Sequence, residues 1–283
     1  MNRGPVIFFC AFLAFEVSFF AFVVMPQAQI GRQPLAAIGG VADAYPAARP
    51  GEARQGAEIY RANGCAACHS QQIRQTGINF DVVLTDAGTN ATAAIAAVRA
   101  VNSKLDEAAA KAVVEKVPQT ILSGLATKNL ATDAQKILKA ALLKAEVRVV
   151  PIGPDIARGW GLRRSVAADY LFDTPPLLGS QRVGPDLANV GLRLPEANWQ
   201  LVHLYNPRAE VKGSAMPPYR FLFVTRKVGA QPSADALVFP AGFAPKAGYE
   251  VIPTDDARAV VAYLQSLRVE VPLFEAPMAA PAK

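Results

Sequence analysis

Cys65-Ala66-Ala67-Cys68-His69 is a C-x-x-C-H string, the attachment signature of a c-type haem. On one helical turn, two thiols three positions apart can each form a thioether to a porphyrin vinyl group. The imidazole that follows is then held against the iron as its proximal ligand. The expected cofactor is one covalent haem c, carried by Cys65 and Cys68, with His69 on the metal. The third cysteine, Cys10, has no second thiol left to pair with, so no disulfide framework within the chain is expected.

The chain has 283 residues, enough for one sizeable domain or two small ones. Its 52 % hydrophobic and 18 % charged content is rich for a purely soluble protein and points to a membrane segment. That segment is Val6 to Met25, VIFFCAFLAFEVSFFAFVVM, about 20 residues, which at 1.5 Å per residue covers a bilayer core of about 30 Å. A cleaved signal peptide is the competing reading. Its apolar region would be shorter, and Pro26-Gln27-Ala28 is a poor small-x-small cleavage site. Arg3 and the amino terminus precede the span, so the positive-inside tendency puts the N-terminus in the cytoplasm and everything after Pro26 outside. Glu16 interrupts the span; it either contacts a neighbouring transmembrane subunit or is tolerated in protonated form. The net charge of +6 is compatible with an acidic partner or an anionic membrane surface, and no nucleic-acid partner is expected.

Residues 27–50 are rich in Gly, Ala and Pro and are expected to form a linker. A helix follows from Pro50-Gly51-Glu52 to Ala62, with Gly56, Ile59 and Tyr60 on one face. Near the other end, Thr254-Asp255-Asp256 is an N-cap with acidic residues at the positive end of a helix. That helix carries an apolar stripe of Val260, Val261, Tyr263, Leu264 and Leu267. The small Gly56 would let the stripe approach closely. A first helix crossing a last helix beside C-x-x-C-H resembles class I cytochromes c.

Gly184-Pro185-Asp186-Leu187 is similar to the G-P-x-L loop of that class. The resemblance implies that the Pro185 carbonyl accepts a hydrogen bond from the proximal imidazole and fixes its orientation; a plain turn is the alternative. Met216 is the expected sixth ligand. Of four methionines, Met1 starts the chain, Met25 ends the span and Met278 lies in a Pro/Ala-rich tail. Met216 stands in Gly213-Ser214-Ala215-Met216-Pro217-Pro218-Tyr219, a stiff loop that can present a thioether. Its competitor is His203, the only histidine besides His69, within a helix-like stretch from Pro195 to Tyr205.

Four blocks occur in order: CAACHSQQIR (65–74), GSQRVGPDLANVG (179–191), WQLVHLYNPR (199–208) and SAMPPY (214–219). They resemble the mono-haem cytochrome c subunit, subunit II, of cbb3-type haem-copper oxidases. Residues 158–175 also resemble that family, with Asp169, Asp173 and Pro175 at its acidic and proline positions. Two stretches exceed the family pattern. Residues 80–149 are Ala- and Lys-rich and are expected to form a helical insertion, with runs near 92–101, 103–117 and 132–147, or else a floppy excursion. Ser103 with Asp106 suggests a capping box. Residues 221–253 are expected to form an irregular or hairpin extension.

The expected fold is mainly α: a transmembrane anchor (5–26), the linker, a class I cytochrome c-like haem domain (51–270) and a flexible tail (271–283). The family resemblance implies an electron-transfer subunit in the bacterial inner membrane, not itself a catalyst, with its haem domain periplasmic. It would take electrons from a di-haem cytochrome c sister subunit or a soluble cytochrome c. It would pass them singly to the catalytic membrane subunit. A free membrane-tethered carrier, the cytochrome subunit of a nitric oxide reductase, and a non-haem dithiol or metal protein are the alternatives. The S-Q-x-I-R run after His69 favours the oxidase. The dithiol reading lacks a βαβ context and two further ligands.

Overall fold

The computed structural model describes residues 3–30, 35–37, 44–269, 271–273 and 275–278. Parts of the expected linker and tail lie outside the described residues. The chain opens with one continuous helix, α1 (Gly4–Gln29), which is long and apolar enough to cross a membrane and has none of its residues packed against the rest of the chain. A two-residue ladder, β1 (Ala36–Ala37) with β2 (Ala44–Tyr45), follows.

α2 (Gly51–Ala62) begins after Pro50, which is extended and leads into the first turn. Asn63 and Gly64, the latter at φ 68°, end it. The chain then forms an inserted module: β3 (Gly77–Asp86), α3 (Ala91–Val101), α4 (Glu107–Glu115), β4 (Gln119–Leu125), α5 (Lys128–Ala140) and β5 (Lys144–Ile152). The expectation of an all-helical insertion is corrected here. The three strands form an antiparallel sheet in the order β4-β3-β5, and the helices share a core with it. Phe80, Val82 and Leu84 meet Ala94, Val98, Ala110, Ala131 and Leu138. Two expected boundaries also move. The cap of α4 is Asp106, whose carboxylate accepts from the Ala109 amide, and Ser103 is not part of it. The helix expected over 132–147 stops at Ala140, because Lys144-Ala-Glu-Val-Arg-Val-Val alternates in and out as a strand does.

Beyond the module come α6 (Ala197–Tyr205), the hairpin β6 (Phe223–Lys227) and β7 (Tyr249–Pro253), and α7 (Asp255–Ser266). Thr254 caps α7 through its hydroxyl, which accepts from the Ala257 amide. Its Val260, Val261, Tyr263 and Leu264 are buried, as is Leu267 just beyond. α2 crosses α7 at Gly56, where a Cβ would collide with the backbone carbonyl of Ala259. Tyr60 and Tyr263 meet edge to face at 5.3 Å beside this crossing. Val202, Leu204, Leu222 and Val251 complete the core.

The expectation of a free tail from residue 271 is also corrected, at Leu273 and Ala276. Leu273 and Ala276 are buried against Tyr45 and Val166. The reason is polar. The fully buried Arg163 donates through Nε to the Val271 carbonyl at 2.6 Å and pairs with Asp169 at 2.7 Å.

Candidate functional site

The five-residue motif sits where α2 runs out. A single tight turn over Cys65–Ala67 leads into Cys68, and the His69 amide donates to the Cys65 carbonyl at 3.0 Å. Cys65 is half-buried and Cys68 is exposed, and neither is paired in a disulfide. Burial pushes the Cys65 thiol up to about 11.

The loop from Leu178 to Leu187 is zippered along this segment. Ser180 donates to Ala66, Gly184 to Cys68 and Leu187 to Ser70, while Gln71 donates back to Leu178, all at 2.8–3.0 Å. This ladder places the Pro185 carbonyl 2.8 Å from His69 Nδ1. A carbonyl only accepts, so Nδ1 carries the proton and Nε2 keeps a lone pair for a metal. Burial lowers the His69 pKa, opposed by the Pro185 hydrogen bond and the Asp186 charge. Contact with the imidazole is so close that a Cβ at Gly184 would overlap the ring.

Behind this ladder lies a charged network that neither motif reading anticipated. Asp186, fully buried, accepts from the Ser70 hydroxyl at 2.6 Å and the Gln72 amide at 2.8 Å. Asp155, also fully buried, accepts from the Arg74 amide at 2.8 Å. Arg182 joins the two. It donates to both Asp155 oxygens at 2.8 Å, to Ser70 Oγ at 2.8 Å, to the Gln72 carbonyl, and at 3.4 Å to Asp186. The signal available in the sequence was the R-V-G-P-D spacing, which puts Arg182 and Asp186 four apart around the proline.

On the other side of the site, the Met216 loop packs against the same core as Cys65 and Ala66. The Ser214 hydroxyl accepts from the Met216 amide at 3.3 Å, and the Tyr219 amide donates to the Leu204 carbonyl at 2.8 Å. His203 is half-buried on α6, its ring stacked on Trp199 at 4.9 Å and 8°. Burial, and then the charge of His69, lower its pKa to about 4.

The donor set fits a haem. Among the described residues no group of three or more His, Cys, Asp or Glu side chains could hold a metal ion. One imidazole with a free Nε2 and one thioether suit an iron whose equatorial positions a porphyrin fills, and two thiols stand on the turn beside them.

Comparison with known proteins gives two family matches. Residues 148–241, about a third of the chain, match the family model described as Cytochrome C oxidase, mono-heme subunit/FixO. That model describes a mono-heme subunit of a cytochrome c oxidase, and the match supports the subunit II resemblance carried by residues 179–191, 199–208 and 214–219. Residues 80–148 match the model of the Ribosomal protein L7/L12 C-terminal domain. The α/β module therefore has a likeness of its own, and it ends where the oxidase-subunit match begins. No curated protein matches the chain.

Proposed function

We propose that the chain is the membrane-anchored electron-entry subunit of a cbb3-type oxidase. It receives single electrons from a c-type cytochrome and hands them to the catalytic membrane subunit. Oxygen is reduced there and not on this chain. The observation that carries this reading is the His69 imidazole fixed through Nδ1 on Pro185, one residue beyond a C-x-x-C turn. A covalent haem c supplies the one-electron couple. Around it, Cys65 and Cys68 would hold the porphyrin and His69 and Met216 the iron. Pro185 orients the proximal ring, and the Tyr219 amide, donating to the Leu204 carbonyl, holds the end of the Met216 loop. The domain would be of the class I cytochrome c kind, held outside the inner membrane by α1 with its N-terminus cytoplasmic. With His69 and Met216 both holding the iron, the group would supply electron transfer and would leave no position for substrate. The chain's residues set potential, distance and docking.

The test is made on membranes carrying the assembled complex. Met216→Ala should lower oxygen consumption driven by a reduced c-type cytochrome at least tenfold, with the subunit still in the complex. It should also remove the weak near-infrared sulfur–iron band, which His203→Phe should leave in place. Unchanged turnover and an unchanged band in Met216→Ala would contradict the assignment.

A further inference from the structure

We infer that Arg182 is a positioning residue for the proximal imidazole, and that Asp155, at the exit of the inserted module, is the anchor that aims it. The inference rests on the haem reading above. His69 and Pro185 are held together by two backbone segments, 65–74 and 178–187, whose adjacent residues are Ser70 and Asp186. Arg182 is the side chain that touches both. Its Nε donates to Ser70 Oγ, which itself donates to Asp186, while its terminal nitrogens span Asp155, the Gln72 carbonyl and Asp186.

A guanidinium is suited to this because its five donors are fixed in one plane; a lysine ammonium has the charge without the fork. Two fully buried carboxylates, Asp155 and Asp186, face this one cation. Two further cations stand nearby: Arg158, more exposed and 3.7 Å from Asp155, and Arg193, which donates to the Asp186 backbone carbonyl at 2.8 Å. Asp155 does not float. Its carboxylate also takes the Arg74 amide, and at the base of the module the Thr76 amide donates to the Ile152 carbonyl at 2.9 Å. Gly153 lies so close to the backbone of Arg74 and Gln75 that it admits no side chain without a shift. The module's last strand thus delivers the anchor, the anchor fixes the arginine, and the arginine fixes the loop that carries Pro185. A firm Pro185 hydrogen bond makes the imidazole a stronger donor to ferric iron.

The test uses the full-length, haem-bearing protein. Arg182→Lys should raise the midpoint potential, because a loosened Nδ1–H bond weakens donation to the ferric state. In the ferrous form it should speed solvent exchange of the His69 Nδ1 proton at least tenfold. Asp155→Asn should shift both readouts in the same direction by less, and Arg158→Gln should shift neither. A purely structural role would lower the melting temperature alone, and an unchanged potential and exchange rate in a haem-loaded Arg182→Lys would overturn the inference. Should the variants not fold, the wild type still decides. The protection factors of the His69 Nδ1 proton and of the Gln72 and Arg74 amides, each taken against its own intrinsic exchange rate, should agree within tenfold, as one unit. An Nδ1 protection factor more than tenfold below those of both amides would overturn the inference. Failure to acquire any haem would instead sink the functional reading on which it depends.

Discussion

Gly184 and His203 show what individual positions demand. At Gly184 any side chain would enter the space of the His69 ring, so Gly184→Ala must move either the imidazole or the loop. Overpacking of this kind costs about 1–3 kcal/mol, and here it should also cut the fraction of chains carrying haem severalfold, measured by absorbance against protein. His203 makes a pH prediction. Its folded-state pKa is lowered to about 4, by burial first and then by His69. The unfolded chain therefore takes up a proton below about pH 6.5 that the folded chain refuses. The stability this contributes is fully present above that pH and is lost as pH falls towards 4. On linkage it amounts to roughly 2–3 kcal/mol. The unfolding free energy of the wild type minus that of His203→Phe should shrink by that amount between pH 7 and pH 4. A difference that stays flat would contradict the assignment. Cys65, Cys68 and His69 could be named as candidates from spacing, Met216 from elimination, and Pro185 from the resemblance to the G-P-x-L loop of class I cytochromes c. Arg182, Asp155 and Ser70 could not, because their meaning depends on a partner up to 112 positions away.

Helix crossings were legible where a small residue or a cap marked them. Gly56 and the Thr254-Asp255-Asp256 cap led to the α2–α7 pair. Gly56→Ala should lower stability by about 1–3 kcal/mol or more, since the obstacle is the Ala259 backbone and cannot swing aside. Thermal denaturation of the holoprotein would show it as a lowered midpoint, and an unchanged midpoint would mean the helices do not touch there. The inserted module was misread as helical for a definite reason. Ala and Lys dominate its composition and favour helix, and no glycine marks the end of α5. The left-handed position there is taken by Leu142 at φ 63°, a residue that ordinarily avoids it, so no stop signal stood in the sequence. The strands Val82-Val83-Leu84 and Val147-Arg148-Val149-Val150 are short β-branched runs that a helical window absorbs. Likewise the Pro/Ala-rich tail hid Leu273 and Ala276, whose burial follows from Arg163 reaching the Val271 carbonyl.

At the scale of the molecule, the core beside the motif turn is interrupted by a module with a core of its own. Gly77 and Ile152 are paired neighbours, so the two ends of the insertion meet. The fragment 77–152 should fold alone, with a cooperative thermal transition and the circular dichroism of an α/β fold; a featureless melt would show that it depends on the rest. The match of residues 148–241 to the oxidase subunit and of 80–148 to a different family agrees with that division. Outside the module, the apolar helix α1, the motif turn and the Met216 loop form the arrangement on which the proposed electron transfer would depend.

The most direct measurement is the mass of the proteolytic peptide spanning residues 65–69, from protein made in a host with c-type haem ligation. The account predicts a peptide heavier by one haem through two thioethers, with a red holoprotein, and neither feature when Cys65 and Cys68 are both replaced by Ala. An unmodified peptide with two free thiols from a colourless protein would contradict it.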